Sequence, residues 1–146
     1  MTIQPATEQQ LESWLIMRKK LWPSQGDDDF LAEMKEMLTD PKCHVLVAFD
    51  LDQAIGFAEL SIRDYAEGCA TRKIGYLEGI FVEEDYRQQG IAGKLIQQAE
   101  SWFAIMGCTE MASDTELNNS ISIQMHQAYG FTALPTIIPF MKKLSH

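Results

Sequence analysis

The sequence predicts an α/β domain: a mixed, mainly antiparallel twisted sheet of six to seven strands flanked by about four helices. Three observations lead there. Two strand-like runs, residues 43–49 and 54–62, are joined by the polar turn Asp50-Leu51-Asp52-Gln53 and read as an antiparallel hairpin. The run Ile74-Gly75-Tyr76-Leu77-Glu78-Gly79-Ile80-Phe81-Val82 is apolar on both faces, which places it inside a sheet. A helical stripe and another short strand follow it, giving one strand–helix–strand crossover over residues 74–113. At 146 residues the chain has the length of one domain, expected to span 1–146.

Residues 2–5 read as a short strand, and Thr7 with Gln10 three residues on forms a capping-box pattern ahead of a helix. Leu11, Trp14, Leu15, Arg18 and Leu21 recur at helical spacing until Trp22-Pro23-Ser24-Gln25-Gly26 breaks the pattern. A second helix is expected over 28–38, with Leu31, Met34, Met37 and Leu38 on one side and Asp40-Pro41 ending it. After the hairpin and a looser stretch over 63–73 comes the apolar strand, whose only charge is Glu78. From Gly90 to Met106, Ile91, Leu95, Ala99, Trp102, Phe103 and Met106 make one helical stripe closed by Gly107. A strand over 109–113, a helix over 120–128 and two final strands within 131–141, broken near Pro135, complete the expectation.

Hydrophobic residues at 46% and charged residues at 23% fit a globular protein, and no apolar run reaches the length of a membrane span. The first residues, Met-Thr-Ile-Gln-Pro, lack a secretion pattern, so a cytoplasmic location is expected. Cys43, Cys69 and Cys108 are far apart and without metal-ligand spacing, which predicts neither disulfides nor a metal. A net charge of -9 disfavours nucleic acid and favours cationic partners.

Arg87-Gln88-Gln89-Gly90-Ile91-Ala92-Gly93 follows the apolar strand and opens a helix. Backbone N–H groups at such a turn lack partners and converge on the positive end of the helix dipole, which suits a pyrophosphate. Taken alone, the residues are equally those of a plain helix start.

Arg87 to Ala92 is similar to the signature R/Q-x-x-G-x-G/A of the GNAT superfamily of N-acetyltransferases, and Asn119, twelve residues before Phe131, resembles its later N…GF segment. Leu21-Trp22-Pro23, Ser61-Ile62-Arg63-Asp64-Tyr65, residues 77–82, Met111-Ala112-Ser113-Asp114-Thr115 and His126-Gln127-Ala128-Tyr129-Gly130-Phe131 resemble the aminoglycoside 6'-N-acetyltransferases over nearly the whole chain. The resemblance implies a GNAT fold and an enzyme, commonly a homodimer. It implies that acetyl-CoA donates its acetyl group to the 6'-amine of a polycationic aminoglycoside such as kanamycin or tobramycin, conferring antibiotic resistance. No metal, nucleic acid or membrane enters this reading.

The resemblance also assigns residues. The backbone of Ile80, Phe81 and Val82 pairs with pantetheine, and a bulge near Gly79 splays that strand from the next. The N–H groups of Gln88, Gln89, Gly90, Ile91, Ala92 and Gly93 hold the pyrophosphate, and Asn119 binds the cofactor farther along. Glu78 draws attention by itself, because a carboxylate in an apolar strand is costly to bury unless it faces a cavity or meets a cation. The resemblance places Glu78 and Asp114 at the aminoglycoside, one of them helping to remove the amine proton. The competing expectation is an ion pair with Arg63, Arg72 or Lys73. Trp22 and Tyr65 resemble sugar-contacting aromatics, and Gln25 lies where relatives reach substrate. His126 stands where many members carry the tyrosine that protonates the leaving thiolate, with Tyr129 as a displaced alternative. An acidic residue that some relatives have after the Gly-Phe pair is missing from Leu134-Pro135-Thr136. The other functions open to such a chain are acetylation of another polyamine or protein amine, and non-catalytic acyl-CoA binding.

Overall fold

The structure, a computed structural model, describes residues 1–145. Strands β1 (Thr2–Pro5), β2 (Cys43–Asp50), β3 (Gln53–Arg63), β4 (Ile74–Val82) and β5 (Glu110–Ser113) form one sheet in the order β1-β2-β3-β4-β5. Every neighbouring pair is antiparallel except β4 and β5, which run parallel. The helices are α1 (Leu11–Leu21), α2 (Asp27–Thr39), α3 (Ile91–Ile105) and α4 (Ser120–Ala128). The capping box forms, with Thr7 and Gln10 exchanging side-chain bonds across a single 3-10 turn that leads into α1.

Alternation within β2 divides the core. Val45 and Val47 face Trp14, Met17, Phe30 and Met34 of α1 and α2, whereas Leu46 and Ala48 face Leu95, Ala99 and Phe103 of α3. Helices thus cover both faces of the sheet, and the interior strands need not alternate in polarity. On the α3 face, His44 of β2 stacks on Trp102 at a centroid distance of 5.0 Å.

The sequence-predicted elements appear within a residue or two, with two corrections. The hairpin turn is tighter than expected: only Leu51 and Asp52 separate the strands, and Leu51 takes the left-handed φ of 55° that a two-residue loop demands. The two final strands do not form, so the sheet has five strands among the described residues. Phe131 packs on the core, but the following segment has no partner strand in its own chain, and Leu134, Ile137, Ile138, Phe140, Met141 and Leu144 are exposed. A strand-like pattern becomes a strand only by docking along a sheet edge, a tertiary contact that local sequence does not encode.

Burial lowers the pKa of His44 from its ordinary value. The unfolded chain therefore binds a proton more readily than the native one, and this histidine's contribution to stability is lost as pH falls through about 6.5. Urea melts at pH 7.5 and 5.5 are expected to show wild type losing more stability between the two than His44→Phe, which keeps a ring on Trp102; equal losses refute it.

Candidate active site

β4 is paired with β3 along its length, but with β5 only from Ile74–Glu110 to Leu77–Ser113. Beyond Leu77 no strand lies on the β5 side, so residues 78–82 keep one hydrogen-bonding edge open within the sheet. The parting coincides with a β-bulge: Glu59 opposes Gly79 and Leu60 opposes Leu77, leaving Glu78 as an extra residue. A bulge adds bend and twist, which turns β4 away from its neighbour. The Trp22 ring fills the space a side chain at 79 would need, lying 2.5 Å from where a Cβ would stand.

Past the open edge the chain makes the turn into α3. Gln88 and Gly90 take left-handed φ values of 62° and 80°, and Lys94 is the first residue whose N–H bonds back, to the Gly90 carbonyl. The backbone N–H groups of residues 88–93 have no acceptor among the described residues. Unsatisfied donors at the start of a 15-residue helix can hold an anion. Arg87 ties the turn to the open strand, its Nε donating to the Val82 carbonyl at 2.8 Å. Gly93 answers to packing: the Tyr129 ring comes within 2.6 Å of where its Cβ would be. Asn119 caps α4, its Oδ1 accepting from Ser122 N–H at 3.0 Å.

On the other side of Glu78 lies an acidic cavity of about 460 Å³, walled by Trp22, Gln25, Glu33, Glu36, Asp40 and Glu78. Its floor is a buried ion pair. Arg18, 4% exposed, donates from Nε and Nη2 to both oxygens of Glu59, 1% exposed, at 2.6 and 2.7 Å, and the Trp14 indole donates to Glu59 at 2.8 Å. Burial alone would lower the Arg18 pKa, but the bonds and charge of Glu59 outweigh it and raise it. Cys43, also on the wall, has its thiol pushed up to about 11 by burial and then by Asp40, so it stays protonated.

The ion-pair expectation for Glu78 holds with Arg63, which donates from Nε and Nη2 at 2.9 and 2.6 Å while Ser61 donates its hydroxyl. Arg63 also lies over the Tyr76 ring, 3.5 Å from its centroid, and the Tyr76 hydroxyl donates to Asp114 Oδ2. Burial and then that carboxylate raise the Tyr76 pKa. The two predicted carboxylates are thus joined through Arg63 and Tyr76, although Asp114 lies outside the cavity wall. Asp114 Oδ1 has no protein partner among the described residues. Tyr65 is exposed on the 64–73 loop, donates to Glu67 at 2.8 Å and does not line the cavity. His126 points to the apex of the parting strands, its Nε2 lying 2.8 Å from Ser113 Oγ.

Arg18, Glu59, Ser61, Tyr76 and Ser113 escaped the sequence reading. Glu59 carried the signal that singled out Glu78, a lone charge in an apolar strand.

Two parting strands beside an anion-binding helix start define an acyl-CoA-dependent acetyltransferase, and the family model for the acetyltransferase (GNAT) family matches residues 9–131. The chain belongs to that family, and within it to the aminoglycoside N(6')-acetyltransferases. It is 44% identical to the type 1 enzyme of Acinetobacter baumannii over 146 residues, 99% of each chain. It superposes with a TM-score of 0.95 on the crystal structure of the aminoglycoside antibiotic 6'-N-acetyltransferase AAC(6')-IG from Acinetobacter haemolyticus, at 42% identity and covering 99% of this chain and 100% of that one. For AAC(6')-Iy in complex with a bisubstrate analogue, CoA-S-monomethyl-acetylneamine, the TM-score is 0.93 at 40% identity, with 98% of each chain covered.

Removing one charge of the buried pair leaves the other poorly compensated. Glu59→Gln is expected to cost about 3 kcal/mol, since Arg18, 4% exposed, then keeps only the half-exposed Glu33 as a charged partner. Urea denaturation checks this; a loss under about 1 kcal/mol would place the pair in a solvated setting.

Proposed function

We infer that the protein transfers the acetyl group of acetyl-CoA to the 6'-amine of an aminoglycoside of the kanamycin or tobramycin type, and thereby confers resistance. One observation carries the reading: Glu78 stands where an open strand edge leading from an anion cradle meets an acidic, tryptophan-walled cavity. The first half-site fits acetyl-CoA, with unsatisfied N–H groups at 88–93 for the pyrophosphate and the free edge of Ile80, Phe81 and Val82 for the amide-bearing arm. Asn119, at the start of α4, is assigned to the same ligand. The second half-site fits a polycation, because its wall carries four carboxylates, Glu33, Glu36, Asp40 and Glu78, and a ring for the apolar face of a sugar.

Hydrogen bonding divides the labour between the two central carboxylates. Glu78 is already held by Arg63 and Ser61, so it serves as a fixed anchor for a substrate ammonium. Asp114 keeps Oδ1 unbonded and is assigned as acceptor of the amine proton, directly or through water. Trp22 and Gln25 contact the sugar, and Tyr65 closes over it from the 64–73 loop. The chain acts as one catalytic domain, in the cytoplasm, where its donor is made.

The test is to incubate the purified protein with acetyl-CoA and a panel of aminoglycosides and follow thiol release. Turnover is expected with kanamycin and not with an analogue bearing a 6'-hydroxyl; no release with any of them sinks the reading. Asp114→Asn is expected to lower kcat/KM more than tenfold, chiefly in kcat, and Glu78→Gln more than tenfold, chiefly in KM. Unchanged kinetics would return either carboxylate to a structural role.

We further propose that the enzyme works as a homodimer in which the segment after Phe131 lies along a second copy. The segment exposes six large apolar side chains, with Phe140 93% exposed, and β5 has no strand on its outer edge. Lys142 and Lys143 at its end complement a chain of net charge -9. Sedimentation is expected to give twice the 16.6 kDa chain mass for wild type and a shift to monomer for Phe140→Asp. A monomeric wild type at micromolar concentration would overturn this.

A further inference from the structure

We propose that Ser113 is a catalytic residue that delivers the proton to the departing thiolate, with His126 as the proton reservoir behind it. The inference rests on the acetyl-transfer reading above. Its geometry is a three-membered chain at the apex where β4 and β5 separate. His126 Nδ1 lies 2.7 Å from the Ser122 carbonyl, which only an N–H can satisfy, so Nδ1 carries a hydrogen in either charge state. Nε2 is then the nitrogen that gains and loses the proton, and it faces Ser113 Oγ at 2.8 Å. Ser113 Oγ in turn stands 3.0 Å from the Leu77 carbonyl, across the last paired position of the two strands.

A serine has one hydrogen to give. With His126 charged, Nε2–H donates to Ser113 Oγ and the hydroxyl donates to Leu77; with His126 neutral, the hydroxyl turns back to Nε2. The arm of the donor enters along the open edge from the cradle at 88–93 toward Leu77, so its reactive end stops at Ser113, where the strands close. As the amine nitrogen bonds to the acetyl carbon, the C–S bond breaks and its electron pair stays on sulfur. The Ser113 hydroxyl passes its proton to that thiolate while His126 Nε2 passes its own to Ser113 Oγ. The products are the thiol and neutral imidazole, with Ser113 donating to Nε2, which is the neutral-state arrangement; solvent then recharges the ring.

The charged and titratable groups around His126 are engaged elsewhere. On β5 and just after it, Glu110 accepts from the N–H groups of Ala70 and Thr71, and Asp114 accepts from Tyr76. On β4, Glu78 is held by Ser61 and Arg63; just past its own helix, Tyr129 packs on Gly93; and the ring meets Phe131 in a T-shaped contact at a centroid distance of 5.1 Å. His126 makes no ion pair among the described residues.

The test is the pH profile of kcat with kanamycin for wild type, Ser113→Ala, Ser113→Thr and His126→Gln, each first shown by thermal melting to be folded. Wild-type kcat is expected to carry an alkaline limb. In Ser113→Ala and His126→Gln that limb disappears and kcat drops about tenfold or more at neutral pH, with KM for both substrates within about twofold. Ser113→Thr keeps the hydroxyl and is expected to restore both rate and limb. An alkaline limb retained in Ser113→Ala, or a defect confined to KM, overturns the relay while leaving the acetyl-transfer reading intact. A wild type that releases no thiol with any aminoglycoside defeats that reading itself.

Discussion

The site is built around an unpaired strand edge. A backbone N–H or C=O inside a folded protein costs about 1–3 kcal/mol if it finds no partner, and β4 keeps one edge open from residue 78 to 82. Ladder bonds that β5 could have supplied are left unmade, and an extended, amide-bearing ligand has the groups to make them. The neighbouring elements accord with this vacancy: the bulge at Glu78 bends β4 away, and the turn before α3 sets its own unsatisfied donors at the far end of the edge. Two sets of open donors in line select for a ligand that is phosphorylated at one end and amide-like along its arm.

The acceptor side rests on a different kind of interaction. Arg18 and Glu59 join α1 to β3 beneath the cavity, and their side-chain hydrogen bonds extend to Trp14 and Glu33. A buried pair of this kind contributes little net stability over an apolar substitute, but it tolerates few alternative geometries. Arg18 also lies 5.2 Å from the Trp22 ring centroid, so the pair fixes the helix end from which that ring reaches Gly79 and the cavity. A cation on the floor, neutralised by Glu59, leaves Glu33, Glu36, Asp40 and Glu78 as a net negative wall. The chain's charge of -9 then has the same sign as this wall, and a field of that sign attracts cations.

Much of this was legible in the sequence, for identifiable reasons. Helix starts and stops were marked by local residues, such as the Thr7–Gln10 box, Pro23 and Gly107, and the crossover followed from the switch of period after Val82. Glu78 was conspicuous because it is the one charge in a strand of nine residues. The partners were hidden for a physical reason: Arg18 meets Glu59 across 41 positions, Tyr76 meets Asp114 across 38, and Ser113 meets Leu77 across 36. Such contacts are created by strand order and helix docking, which no local pattern records. The segment after Phe131 failed in the opposite direction, since its apolar residues satisfied a strand pattern but do not dock on either open edge of the sheet, β1 or β5.

Glu78 links these halves because of where the extra residue falls. Had β4 stayed in register with β3, its alternation would have continued unbroken through residues 77–79 and the strand would have had less reason to leave β5. Inserting one residue makes the strand bend away from β5 at Leu77–Ser113, and it is the inserted residue itself whose carboxylate reaches Ser61, Arg63 and the cavity. One irregularity therefore sets the end of the open strand edge and the position of a cavity carboxylate within a residue of each other. Proximity of that kind is worth more to a bimolecular reaction than any single contact, because it converts the encounter of two substrates into a step within one complex. The hydrogen-bonded groups then sort to either side of the bulge, Asp114 with Tyr76 beyond it and Ser113 with His126 at the apex, so that the two sets share no bond with each other.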